Sequence, residues 1–401
     1  MATYLIVGNG VAGNAAAESI RKSDPSGRIL IFTKEKYPFY YTPALPEFLA
    51  GEKQIQDFTI HPPQWYERNR IDLYLECPVT KIDPVQRVLY TSRTEAIGYD
   101  RLLLACGGNS FIPPIPGANH ERVLTLRWID DALKIRDLAK TARKVIVIGG
   151  GLLGLEAGNG LRKLGLEVTV VEFAPRLLPR QMDIPGASIL QKQMEGMGFR
   201  FFLGVKTQEI LPHPGGMQIR LDSGEMLEAD FVLVSAGVRP ELTLTHSLHL
   251  TVDKGVKVDD FLQTEIEGIY AAGDLIEHRG RFYGIWPAAM EQGRIAGINM
   301  AGGKEKYSGT VPSNQLKVVG IDLVSMGEID EHRQWESIVV EQESKGYYRK
   351  LVLKENRIIG AILLGDIRGN DAIQRAIQSQ KDIGPFKSRL ADESFDFSQL
   401  S

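Results

Sequence analysis

The chain has 401 residues, a length that suits two or three domains. Hydrophobic residues make up 43% and charged residues 24%, which excludes a disordered chain and leaves ample material for buried cores. Lysine plus arginine number 47 against 50 aspartate plus glutamate, a formal net charge of −3, so no global field favours nucleic acid or anionic lipid.

The two cysteines, Cys77 and Cys106, are too few for a disulfide framework or a four-thiolate metal site. The start of the chain lacks the pattern of a secretory signal, and no run reaches about 18 apolar residues. A soluble cytoplasmic protein without a membrane span is expected.

The first predicted element is the apolar strand Tyr4-Leu5-Ile6-Val7. It leads into Gly8-Asn9-Gly10-Val11-Ala12-Gly13 and then a helical run from Asn14. A strand, then G-x-G-x-x-G, then a helix is the pattern of a dinucleotide loop. The first glycine makes the tight turn, the second lets backbone approach a pyrophosphate, and the third lets helix pack on strand. The helix start adds free N–H groups and the positive end of its dipole. A second strand, residues 28–32, is followed by Glu35, 27 residues after Gly8. An acid about 20 residues on is placed to bond ribose hydroxyls.

Residues 37–51 contain no cysteine, and Ile112-Pro113-Pro114-Ile115-Pro116-Gly117 is a proline-rich crossing. The dinucleotide pattern then repeats. Lys144-Val145-Ile146-Val147-Ile148 leads into Gly149-Gly150-Gly151-Leu152-Leu153-Gly154, and the next strand ends at Glu172, 23 residues after Gly149. A carboxylate there repels a 2′-phosphate and favours NADH over NADPH; Arg176 and Arg180, close by, soften that preference. His246 and His249 lack nearby cysteines or a compact acid cluster, so no metal site is expected. Residues 346–353 and 358–364 read as hairpin strands joined by Lys354-Glu355-Asn356-Arg357.

At these residues the chain resembles the FAD- and NAD(P)H-dependent pyridine nucleotide-disulfide oxidoreductases. Asp100-Arg101-Leu102-Leu103-Leu104-Ala105-Cys106-Gly107-Gly108 is similar to the family's Ala-Thr-Gly segment, with Cys106 where threonine is usual. The run from Asp230 through Gly237 to Pro240 is similar to its second copy, and the run from Thr264 to Gly273-Asp274 to its second FAD fingerprint. The resemblance implies an α/β fold. Two Rossmann-like domains are expected, with an FAD domain at 1–112 and 240–307 and an NAD domain inserted at 113–239. A small α+β interface domain is expected at 308–401.

It implies FAD contacts from Gly8, Gly10, Val11, Ala12, Gly13, Glu35, Ala105, Gly107, Gly273 and Asp274. It implies NADH contacts from Gly149, Gly151, Leu152, Leu153, Gly154, Glu172 and Gly237. Hydride would pass from nicotinamide C4 to flavin N5, a reaction the cofactors carry while protein supplies position and electrostatics. Glu156 reads from position alone as a solvated helix residue; the resemblance implies a place beside the nicotinamide. Trp286 and Pro287 open a helix that the resemblance sets against the flavin ring, where free N–H groups favour negative charge; core packing is the other reading of Trp286.

Disulfide-reducing relatives need cysteines in the 37–51 segment, and here there are none. Electrons are therefore expected to leave the flavin directly for an external acceptor. Tyr40-Tyr41-x-Pro43-x-Leu45-x-Glu47 resembles the NADH:rubredoxin reductases within the wider group of ferredoxin and nitrite reductases. Glu47 reads equally as a pocket-facing or a solvated carboxylate. A rubredoxin- or ferredoxin-type carrier is the expected partner of a monomer or homodimer. Lys304, Lys306, Lys317, Arg333, Lys345, Arg349 and Lys350 supply positive charge in the last third, amid many acids. The alternatives are a peroxide-forming NADH oxidase, or a flavoprotein subunit or NADH-sensing interaction protein of a larger redox complex.

Overall fold

The structure is a computed structural model that describes residues 1–93, 96–310 and 313–400. It divides into two compact units. One comprises residues 1–44, 53–111 and 238–310; the other comprises residues 45–52, 112–237 and 311–401.

The first unit is built on a parallel five-stranded sheet in the order Ile269–Ala271, Arg101–Leu104, Thr3–Val7, Arg28–Phe32, Ile71–Tyr74. The two central strands, Thr3–Val7 and Arg101–Leu104, are apolar and almost wholly buried, as a parallel strand covered on both faces must be. The helix Val11–Ser23 follows the first strand and presents Ala12, Gly13, Ala16 and Ala17 to the interior. It packs on the helix Trp286–Met300. Backbone meets backbone there: a Cβ on Gly293 would overlap the Ala12 main chain, and one on Gly297 the Ala16 main chain.

The second unit repeats the plan. Its parallel sheet runs Arg200–Leu203, Glu167–Glu172, Lys144–Ile148, Phe231–Val234, Val123–Leu124. In both sheets the strand before the glycine motif is central, and the strand carrying the following acid, or preceding it, lies beside it. The helix Leu152–Lys163 also touches the short helix Leu45–Leu49, where a Cβ on Gly160 would stand 2.9 Å from the Pro46 carbonyl.

The same unit carries an antiparallel sheet ordered Ser313–Val318, Ile321–Gly327, Arg357–Leu364, Tyr347–Lys354, Glu336–Gln342. The helix Asn370–Ser379 covers one face, with Ile373 and Ala376 buried against Leu351, Leu363 and Phe397. The hairpin predicted at Lys354–Arg357 is present, with Glu355 and Asn356 both at positive φ. Among the described residues no helix is long and apolar enough to cross a membrane.

Candidate functional site: two dinucleotide loops

The two glycine loops have matching geometry. Gly8 has φ +119° and Gly149 φ +116°, a region closed to most side chains. Gly8 N–H donates to Phe32 O and Gly149 N–H to Val171 O, both at 2.8 Å. A Cβ on Gly8 would overlap the Ala105 carbonyl, and one on Gly149 the Ser235 carbonyl. Ala105 and Ser235 thus occupy equivalent places, each joined to the central strand by a 2.8 Å main-chain bond. Only the first member of that pair was visible as a site residue in the sequence.

Gly10 and Gly151 are the N-caps of the two helices, and neither has a side-chain cap. A Cβ at either position would meet nothing within 4 Å. Val11 and Ala12 begin the first helix, and Leu152 and Leu153 the second, with no acid in either first turn. Each helix start therefore offers open space, uncapped N–H donors and no acid in its first turn, which fits a pyrophosphate. Gly13 and Gly154 close the loops from behind, since a Cβ on either would overlap the carbonyl of its own motif's first glycine.

The two acids differ. Glu172 ends its strand and its carboxylate accepts Gly150 N–H at 2.6 Å and Ala174 N–H at 2.7 Å. Each oxygen keeps a lone pair for a ribose hydroxyl. Gly150 leaves room beneath it, since a Cβ there would lie 3.1 Å from the Glu172 Cβ. Glu35 lies beyond its strand and accepts the Tyr40 hydroxyl at 2.6 Å. Arg176 is buried and spends its guanidinium on Met182 O, Pro179 O and Glu331, all within 2.9 Å, which leaves exposed Arg180 as the nearby cation facing solvent.

Gly273, at φ +85°, lies with its missing Cβ 3.2 Å from the Ala12 Cβ. Its N–H donates to Gln292 Oε1 at 2.9 Å, and Gln292 Nε2 donates to Tyr307; no motif singles out Gln292. Asp274 is half-buried beside it. Gly107 and Gly237 both take positive φ at the ends of their strands' loops. Trp286 begins its helix with Pro287 exposed after it, stacks on Phe39 (centroids 5.8 Å) and meets Tyr41 edge-on (5.0 Å).

Glu156 is half-buried on the face of its helix that carries Gly160, toward the helix of Glu47. Burial, with a contribution from the Glu47 carboxylate, pushes its carboxyl up to about 7. Burial first, then the Glu241 carboxylate, push the Cys106 thiol up to about 12, and Cys77 is buried among apolar side chains. Neither has the electropositive setting of a reactive thiolate.

One expectation is corrected. Arg349 and Lys350 are buried, each 4% exposed, and supply no surface charge. They lie on a strand covered on both faces, and Lys350 pairs with Asp183 at 3.1 Å. Lys304, Lys306, Arg333 and Lys345 are exposed; the side chain of Lys317 lies outside the described residues. His246 and His249 are exposed, and among the described residues no group of three His, Cys, Asp or Glu side chains is placed to hold a metal ion.

Residues 2–293 match the pyridine nucleotide-disulphide oxidoreductase family. The chain belongs to that family. Residues 312–381 match the rubredoxin NAD+ reductase C-terminal domain. Among curated relatives, a nitrite reductase [NAD(P)H] of Bacillus subtilis is 39% identical over 381 residues, which is 94% of this chain and 47% of that protein. The chain thus spans about half the length of that relative. An NADH-rubredoxin oxidoreductase of Clostridium acetobutylicum is 32% identical, with 96% of both chains covered. Among solved structures, a ferredoxin reductase of Rhodopseudomonas palustris superposes with a TM-score of 0.90 at 26% identity, covering 100% of this chain and 99% of that one. Family membership implies a flavoprotein oxidoreductase that uses FAD and NAD(H), and the two loops fit both dinucleotides.

Proposed function

We propose that the protein is an FAD-dependent NADH oxidoreductase that delivers electrons to a small iron–sulfur carrier of rubredoxin type, with no thiol relay. The observation that carries this reading is the pair of open, uncapped glycine helix starts, one per unit. They supply two pyrophosphate sites in a chain whose thiols are both unsuited to redox exchange. Bound FAD supplies the chemistry that joins a two-electron hydride donor to a one-electron acceptor.

The chain's own residues bind and orient. The loop of Gly8, Gly10 and Gly13 holds the FAD pyrophosphate, with Gly273 and Asp274 closing on it. The loop of Gly149, Gly151 and Gly154 holds NADH, and Glu172 takes the adenosine ribose and disfavours a 2′-phosphate. Glu156 lines the nicotinamide end and holds a proton near neutrality. The helix start at Trp286, which has no side-chain cap, would offer its free N–H groups to the flavin ring, Pro287 itself having none to give. The C-terminal match over residues 312–381 supports the rubredoxin-type acceptor.

Anaerobic titration of the holoprotein with NADH, followed by oxidised rubredoxin, tests the reading. Expected are bleaching of the flavin band by one equivalent of NADH, its return on rubredoxin addition, and sustained turnover. Bleaching without return would reject rubredoxin while keeping both dinucleotide sites.

A second reading has its own observation. The half-length match to the nitrite reductase supports a flavoprotein portion that feeds electrons to a nitrite-reducing partner. Coupled turnover with that partner and none with rubredoxin would select it.

A further inference from the structure

A buried polar network lies directly behind the first glycine loop. Asn14, 1% exposed in the first turn of the helix Val11–Ser23, directs its amide nitrogen at three oxygens. These are the Asn9 carbonyl (3.0 Å), the Asn9 side-chain oxygen (2.9 Å) and the Gly10 carbonyl (3.0 Å). The amide orientation is thereby fixed, since the flipped form would set oxygen against oxygen. Asn14 Oδ1 must then accept, and the groups facing it are the Tyr66 hydroxyl at 2.9 Å and His61 Nδ1 at 3.1 Å.

His61 is 7% exposed and stacked on Trp65 with ring centroids 3.6 Å apart and planes 3° from parallel. Its Nε2 lies 3.1 Å from the Glu18 carboxylate, one helical turn beyond Asn14. Both ring nitrogens thus face oxygens that accept, and only the doubly protonated ring satisfies both. The charged and titratable groups around it are few. On the helix they are Glu18, which His61 holds below the usual carboxylate range, and Lys22, which acts on Glu18. On the other side is the Tyr66 phenol, which burial pushes well above its usual range. Phe39 completes the cage edge-on.

We propose that His61, carrying both ring protons, is the positioning residue of the FAD loop: it anchors Asn14, which in turn fixes Asn9 and Gly10 in the conformation that receives the pyrophosphate. This rests on the reading of the first loop as the FAD site. The network has a direction. When His61 loses one proton, the remaining N–H stays with the stronger acceptor, the Glu18 carboxylate. Asn14 is the partner that loses its imidazole donor and keeps only the Tyr66 hydroxyl. FAD affinity is therefore expected to fall wherever the donor at Nδ1 is removed.

The two amide side chains separate the two ring nitrogens. His61→Asn keeps a donor near the Nδ1 position and His61→Gln near Nε2. Apoprotein is titrated with FAD by quenching of flavin fluorescence, and NADH binding is measured separately. His61→Gln is expected to weaken FAD binding about tenfold, the scale of one lost charge-assisted hydrogen bond. His61→Asn should restore most of that affinity, with NADH binding unchanged in both. Equal losses in both His61 variants would overturn the proposal. A wild-type apoprotein that takes up no FAD would overturn the reading of the loop instead.

Discussion

Glu172 and Glu156 are carboxylates in the same unit with opposite settings. Glu172 is tied by two backbone N–H groups and faces the open loop as an acceptor. Removing it as Glu172→Ala should raise the KM for NADH about tenfold and narrow the gap to NADPH, because a ribose hydrogen bond and a repelling charge vanish together. Steady-state kinetics with both nucleotides decide this; an unchanged preference would take Glu172 out of the ribose site. Glu156 carries a proton to about pH 7 against an ordinary 4.5. Its folded-state value is the higher one, so between those limits the native protein binds more protons than the unfolded chain. Stability conferred on the neutral form is therefore lost as pH rises through that interval. Glu156→Gln should match wild type near pH 4 and be more stable by about 1–3 kcal/mol at pH 8. Urea midpoints at the two pH values read this out. The rate of flavin reduction by NADH should also lose any limb near pH 7 in that variant.

At the scale of elements, what was legible in the sequence was local. A strand, a glycine at positive φ, an open second glycine and a small-residue helix each need only neighbours, and both copies form as read. The burial of Arg349 and Lys350 was not legible. Charged residues in a strand normally mark a solvent face, but the strand Tyr347–Lys354 is covered on both sides, so no alternation was available to reveal it. His61 was equally hidden, because its partners Asn14 and Glu18 lie more than forty residues away in sequence. The contact of the helices Val11–Ser23 and Trp286–Met300 has the same long-range character, and it yields a direct test. Gly297→Val sets a branched side chain into the Ala16 main chain. A cost of about 3 kcal/mol or more is expected, from overpacking plus the helix penalty of a branched residue. The variant should also release FAD, because the same helix begins at Trp286 and carries Gln292. A denaturant midpoint within error of wild type would show that the helices separate without cost.

At the scale of the whole molecule, the second unit joins its parallel sheet and helices to the C-terminal sheet through one polar hub. Asp183 caps the helix Ile184–Gly196 by accepting Gly186 N–H, and also accepts the Tyr348 hydroxyl at 2.7 Å and Lys350 Nζ at 3.1 Å. The Lys350 ammonium has further bonds to the Ile329 and Asp330 carbonyls, with no second carboxylate among the bonds described. Nearby, Arg176 pairs with Glu331 and Lys192 with Glu343, but those partners are half-exposed and contribute less. The hub sits at the end of the segment that follows Glu172, so the C-terminal sheet buttresses the loop on the adenosine side of the proposed NADH site. Asp183→Ala leaves a buried ammonium without its counter-ion and a helix without its cap. About 3–5 kcal/mol should be lost. Calorimetry should show the C-terminal sheet melting ahead of the rest, and NADH affinity should fall while FAD affinity holds. Replacing the cation as well, in Asp183→Ala with Lys350→Met, removes the stranded charge and should recover much of the stability, because the cost lies in the unpaired ion and not in the missing pair. If the double variant is no more stable than Asp183→Ala, the hub acts through its helix cap and the tyrosine bond alone, and the coupling of the C-terminal sheet to the nucleotide loop must run through Arg176 and Glu331.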